Sequence, residues 1–211
     1  MNAKEVVAAH VSEVAPAADA RSEAGGRGSA AATLLTNPVT GMTLRILHSA
    51  EETGGELLEM EAGYPAGSAR PPAHLHPRQE ERFVILEGGM RAMVDGVERD
   101  LAAGESLILP AGTLHAMWNP GPGSARVSWQ VRPALRTQQF FETVFALASR
   151  GQVNGDGIPG LLDLSLLMPY FRAEIQAHRP PAWMQRVVFG MLAPLARLLG
   201  RCPELRREER S

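Results

Sequence analysis

Between residues 33 and 132 the chain is cut into short segments by Gly, Pro, Asn and Asp, and nothing there has the spacing of a long helix. That punctuation confines the fold. Met42, Leu44, Ile46 and His48 alternate with Thr43, Arg45 and Leu47, as on a strand with one buried face. Leu58 and Met60 mark a second run over 55–62. Phe83–Leu86 is continuously apolar, which predicts a strand buried on both faces. Met90–Val94 leads into Asp95-Gly96, a favoured two-residue hairpin turn. Leu107, Ile108 and Leu109, then Ala125, Val127, Trp129 and Val131, complete the set. Some eight to ten strands in about 100 residues predict an antiparallel sandwich or small closed barrel. The absence of helices between them excludes a parallel α/β sheet.

After about residue 135 the period becomes helical. Phe140, Phe141, Val144, Phe145 and Ala148 predict an amphipathic helix over 136–150, stopped by Gly151. A second helical stretch is expected over 161–178, interrupted and restarted at Pro169. Pro180-Pro181 opens a third, from Trp183 to about Leu199. That segment is apolar nearly all round, which predicts a helix buried against the barrel or a second subunit. Interfacial membrane contact through 183–199 is the weaker alternative. A span is disfavoured by length and by Pro194. The chain thus divides into a disordered N-terminal tail (1–32), a β-barrel (33–135), a helical extension (136–200) and a charged tail (201–211).

Composition removes several classes of function. A net charge of −2 leaves no basic excess for phosphate contacts, so no nucleic-acid partner is expected. The single Cys202 rules out an internal disulfide and cysteine-based zinc sites. The only lysine, Lys4, lies in the tail, which excludes Schiff-base chemistry on a buried lysine. Residues 1–32 lack the basic start and apolar run of a secretory signal, and a cytoplasmic protein is expected.

Two clusters remain. One contains His74-Leu75-His76-Pro77 and, beyond it, Glu80-Glu81; the other contains Pro110-Ala111-Gly112 and His115. On a strand His74 and His76 point the same way, so two imidazoles a few ångströms apart can share a metal. Pro77 ends or bends that strand, and the chain returns with a carboxylate at the head of the next run. The Pro-Ala-Gly turn delivers His115 at the head of another strand. Three neutral nitrogens and one carboxylate suit Fe, Mn, Ni, Zn or Cu in the divalent state. His48 shares an apolar strand face and reads first as a core residue. Met93, Met117, Trp118 and Trp129 are candidates to line an apolar pocket, and Asn119 to close the turn Asn119-Pro120-Gly121.

Both clusters together resemble the cupin superfamily, in its single-domain form. The first motif, G-x5-H-x-H-x3–4-E-x6-G, is matched by His74, His76, Glu81 and Gly88, with Gly67 one residue further upstream than usual. The second, G-x5-P-x-G-x2-H-x3-N, is matched without a gap by Gly104, Pro110, Gly112, His115 and Asn119. The resemblance covers about residues 38–132. It implies an antiparallel jelly-roll barrel followed by about three C-terminal α-helices. It also implies one divalent transition metal, iron first, held by His74, His76, Glu81 and His115. The six residues between Glu81 and Gly88 favour Glu81 over Glu80. Glu81 would double as a catalytic base, and a homodimer acting on a small-molecule substrate is expected. The chemistry implied is that of a dioxygenase-like oxidoreductase. The alternatives are a non-redox isomerase, decarboxylase or cyclase, and a non-catalytic metal-binding or small-molecule-binding module.

Overall fold

The computed structural model describes residues 11–13 and 33–201. Its strands are β1 (Val11–Glu13), β2 (Leu34–Thr36), β3 (Thr43–His48), β4 (Leu58–Tyr64), β5 (His74–Leu75), β6 (Glu80–Glu87), β7 (Gly89–Val94), β8 (Val97–Ala102), β9 (Glu105–Leu109), β10 (His115–Trp118), β11 (Ala125–Arg132) and β12 (Gln176–Ala177). Its helices are α1 (Thr137–Ser149), α2 (Leu161–Tyr170) and α3 (Ala182–Leu198). Seven strands form one sheet in the order β1-β9-β6-β11-β4-β3-β2, and five form a second in the order β12-β5-β10-β7-β8. All paired strands run antiparallel, and the helices follow the barrel, as the sequence predicts.

The core lies between the two sheets and follows from strand alternation. On β11 every second residue, Ala125, Val127, Trp129 and Val131, is buried. Leu58 and Met60 of β4, Leu107 and Leu109 of β9, and Met90, Ala92, Val94 and Met117 from the second sheet fill the same space. Each such Leu, Met or Val adds roughly 1.5–3 kcal/mol by leaving water. Phe141, Val144 and Phe145 of α1 close one end of this core. Leu147 passes on to a second cluster with Leu167 and Phe171, which binds α2 to α1.

Five expectations are corrected. Phe83–Leu86 is not buried on both faces: β6 alternates, Val84 is half-buried and Leu86 is exposed. His48 leaves the core face because the β3–β4 register shifts between Ile46 and His48, and it meets Glu59 at the surface instead. The second helix does not restart after Pro169. It ends at Tyr170, and Gln176-Ala177 takes up the free ladder edge of β5. Of the two burial partners expected for α3, the barrel is not one: the helix buries only Gln185 and Ala196 within the chain, while Trp183, Val187, Met191, Leu195 and Leu198 are exposed. Residues 11–13 form a strand against β9 within the segment expected to be disordered. The remainder of 1–32, with Lys4 and His10, and the tail from Cys202 onward lie outside the described residues.

Gly88 and Gly104, one ending the first motif and the other opening the second, both have positive φ (74° and 90°) but differ in surroundings. A Cβ at Gly88 would stand 2.6 Å from the Ser124 carbonyl oxygen, whereas at Gly104 it would meet nothing within 4 Å. Gly104→Ala therefore carries only backbone strain, about 1–2 kcal/mol. Gly88→Ala adds a backbone clash and is expected to be destabilising by at least about 1 kcal/mol more in urea unfolding. Equal losses for the two variants would contradict this account.

Candidate metal centre

His74 and His115 face each other across the β5–β10 ladder in the second sheet. Glu81, on the inward face of β6, reaches the same point from the first sheet; Glu80, one residue earlier, is exposed on the other face. The ladder ends at Leu75, and Pro77 turns the chain away directly after His76. The three imidazoles form a tight group, with ring centroids 4.5 Å apart for His74–His115 and 5.3 Å for the other two pairs. One nitrogen from each lies within 4.8 Å of the others. Glu81 Oε2 lies 3.0 Å from His115 Nε2 and 3.3 Å from His76 Nε2.

The other ends of these side chains are fastened. Nδ1 of His74 lies 2.9 Å from the Pro72 carbonyl, Nδ1 of His76 2.6 Å from that of Glu174, and Nδ1 of His115 3.0 Å from that of Thr113. A carbonyl oxygen only accepts, so each Nδ1 carries the proton and donates it. Each neutral ring is left with its Nε2 lone pair turned inward. Glu81 Oε1 accepts a hydrogen bond from Trp129 Nε1 at 3.1 Å, leaving Oε2 on the imidazole side. Among the described residues, three buried side-chain polar atoms have no hydrogen-bond partner: His76 Nε2, Gln79 Oε1 and Glu81 Oε2. Close approach without hydrogen bonding, at a carboxylate and inward-facing lone pairs, is what a cation-binding donor set requires. The residues therefore fit a divalent metal.

The electrostatics agree with this geometry. Burial, reinforced by His115 and His76, holds His74 down at about 3; burial also pushes His76 down, against the opposing charge of Glu81. Both are neutral near pH 7. Burial would raise the Glu81 carboxyl, but His76 and His115 outweigh it and hold it at about 2. Burial is the largest single influence on His115 and lowers it, but Glu81, the Thr113 carbonyl and Asp95 together outweigh it, and the net shift is upward. The Tyr64 phenol, at the end of β4, is pushed well above its usual range by burial and by the charge of Glu81.

Of the residues named from sequence, His74, His76, His115 and Glu81 come together, and Glu80 and His48 do not. Met117 and Trp129 belong to the barrel core, whereas Met93 and Trp118 lie in a separate cluster with Ala116 and Ala73, capped by Arg70 over the Trp118 ring. Residue parity explains the split: on β10, His115 and Met117 face inward and Ala116 and Trp118 outward. Asn119 closes its turn by accepting from Gly121 N at 2.9 Å, and also donates to the Pro65 and Gly123 carbonyls.

Sequence reading missed several residues that hold the site. Gln79, fully buried, donates through Nε2 to the Pro133 and Ala134 carbonyls and to Thr137 Oγ1, which ties the strand leading to Glu81 to the start of α1. Glu174 supplies its carbonyl to His76, and its own carboxylate is gripped by Arg136 at 2.9 Å. Arg136 also donates to the Tyr170 carbonyl and lies over the Tyr170 ring. The Trp129–Glu81 bond follows from inward parity on adjacent strands. Glu174, 98 residues from His76, had no signal in the sequence.

Residues 60–131 match the family model for the cupin domain. An oxidoreductase of Pestalotiopsis fici is 40% identical over 60 residues, covering 28% of this chain and 29% of that protein. An oxidoreductase of Arthrobotrys oligospora is 28% identical over 130 residues, covering 57% of this chain and 50% of that protein. The chain thus matches half or less of the length of these curated relatives. Among solved structures, KdgF from Halomonas sp. aligns with a TM-score of 0.40 at 19% identity, over 46% of this chain and 85% of that one.

His74 gives a directional test. Its ordinary value is about 6.5 and its folded value about 3, so on acidification the unfolded chain takes up this proton first. The stability it contributes is complete above pH 6.5 and is lost as pH falls from there toward 3. In chelator, the melting-temperature advantage of the wild type over His74→Gln should shrink between pH 7.5 and pH 5, by calorimetry. An advantage that is constant or grows on acidification would contradict the assignment.

Proposed function

We propose that this cupin-domain chain is a mononuclear metal-dependent oxidoreductase of the dioxygenase type, acting on a small organic molecule, with aromatic compounds the first candidates. The observation that carries the reading is the meeting of three inward Nε2 lone pairs with the unpartnered Oε2 of Glu81 inside a closed barrel. The oxidoreductase names of the two fungal relatives support redox chemistry over the alternatives.

His74, His76, His115 and Glu81 would hold the metal. A divalent transition metal there, iron first, supplies Lewis acidity and open positions for small ligands. The protein's own part is orientation and proton handling. The three carbonyls of Pro72, Thr113 and Glu174 fix Nδ1 as the protonated nitrogen of each neutral ring, so no imidazole has to rotate to present its Nε2 lone pair, and only His115, whose pKa is shifted upward, has a proton to release first. Trp129 holds Glu81 Oε1, which limits the carboxylate to one free oxygen. Held down at about 2, that carboxylate is ionised at neutral pH and ready to accept a proton at Oε2. Displacement from the two imidazoles that lower it would make it a stronger base. Phe83 and Phe141 pack against Trp129, giving the wall behind Glu81 an aromatic lining. His74 is half-buried where His76 and His115 are buried, which supports its side of the site as the approach for substrate.

The test is oxygen uptake by metal-loaded protein on a panel of aromatic diols and thiols. Uptake that depends on substrate, and that falls by about 100-fold or more in a Glu81→Gln variant still carrying metal, is expected. Fully loaded protein that consumes no oxygen across the panel, or a Glu81→Gln variant as active as the wild type, would contradict the reading.

A further inference from the structure

The face that α3 turns away from the protein is apolar in register with the helix. Trp183, Val187, Met191 and Leu195 recur once per turn along it, followed by Leu198 and Leu199. All six are exposed, Trp183 to 67%, Met191 to 66% and Leu198 to 83%. The opposite face is anchored: Ala196 is buried, and Gln185 Nε2 donates to the Ala177 and Pro180 carbonyls. The exposed stripe is therefore fixed in orientation by the body of the protein.

Charge is what identifies a partner for it. Between Glu174 and Glu204 the sequence has no acidic residue but has four arginines, Arg179, Arg186, Arg197 and Arg201. Arg201 is paired with Asp163. Arg186 and Arg197, eleven residues or about three turns apart, stand in one row beside the apolar stripe, both exposed. Among the described residues neither has an ion-pair partner.

We propose that α3 docks the protein on an anionic lipid surface, lying in the plane of the bilayer with its Trp-Val-Met-Leu stripe among the headgroups and Arg186 and Arg197 on lipid phosphates. An exposed apolar face bordered by arginine and free of acid has the chemistry of an interfacial helix. The helix has 17 residues, about 25 Å, and no helix among the described residues is long and apolar enough to cross a membrane. A second copy fits less well. Antiparallel pairing of two such faces would set the arginine row of one helix beside that of the other, with no carboxylate to offset it.

The test uses the full chain with vesicles of phosphatidylcholine alone and of phosphatidylcholine with phosphatidylglycerol, in flotation at low and high salt. At least tenfold greater partition onto the anionic vesicles, weakened by salt, is expected. Trp118 and Trp129 are buried, so a blue shift of emission on binding reports Trp183. Met191→Glu with Leu198→Glu should cut binding at least tenfold while leaving metal content and near-UV circular dichroism unchanged. Arg186→Glu with Arg197→Glu should abolish the preference for anionic lipid. Absence of flotation, or flotation unaffected by both double variants, overturns the proposal. So does a dimer in light scattering that Met191→Glu converts to monomer, since a second copy would then cover the face.

Discussion

A carboxylate closed inside a β-barrel is the constraint on which the rest of the structure depends. Glu81 is 1% exposed. An isolated ionised carboxylate in such a place is strongly unfavourable, and proteins keep one only by surrounding it with donors and positive charge. Here Trp129 from β11 donates to one oxygen, and the other is turned toward Nε2 of His76 and His115, where a bound cation would supply the positive charge. Those contacts require β5, β6, β10 and β11 to hold their registers to within one residue. A one-residue slip of β6 would put Glu80 inside and Glu81 in solvent.

The helical extension belongs to the same construction. β12 lengthens the ladder carrying His74, the Glu174 carbonyl fixes the tautomer of His76, and Arg136 holds the carboxylate of that same Glu174. Gln79 joins the loop before Glu81 to the start of α1. The segment that follows the barrel thus contributes two fixed points to the ligand set. Among the described residues, α3, beyond β12, is the element that turns a large apolar surface outward.

How much of this was legible in the sequence depended on the range over which each signal acts. Two-residue periodicity and turn chemistry are local, and they located eight of the ten strands between residues 34 and 132, β2 and β8 being the two not picked out. The ligand candidates were legible because their spacing within each motif determines strand parity and turn position. His48 was misplaced because a β-bulge changes parity without a sequence marker. Gln176-Ala177 read as helix because local propensity carries no information about a free ladder edge a hundred residues earlier. That the barrel leaves α3 uncovered was not legible for a related reason. A helix apolar nearly all round does not reveal how much of its surface the fold will cover. Gln79, Glu174 and Arg136 are polar residues whose importance arises only from tertiary contact.

The central claim is that His74, His76, His115 and Glu81 form one metal-binding unit. Elemental analysis of anaerobically purified protein, beside His115→Ala, tests it most directly. The account predicts about one equivalent of a divalent transition metal in the wild type, lost in a variant that remains folded. Absence of metal from the wild type even after reconstitution, or full retention in His115→Ala, would contradict it.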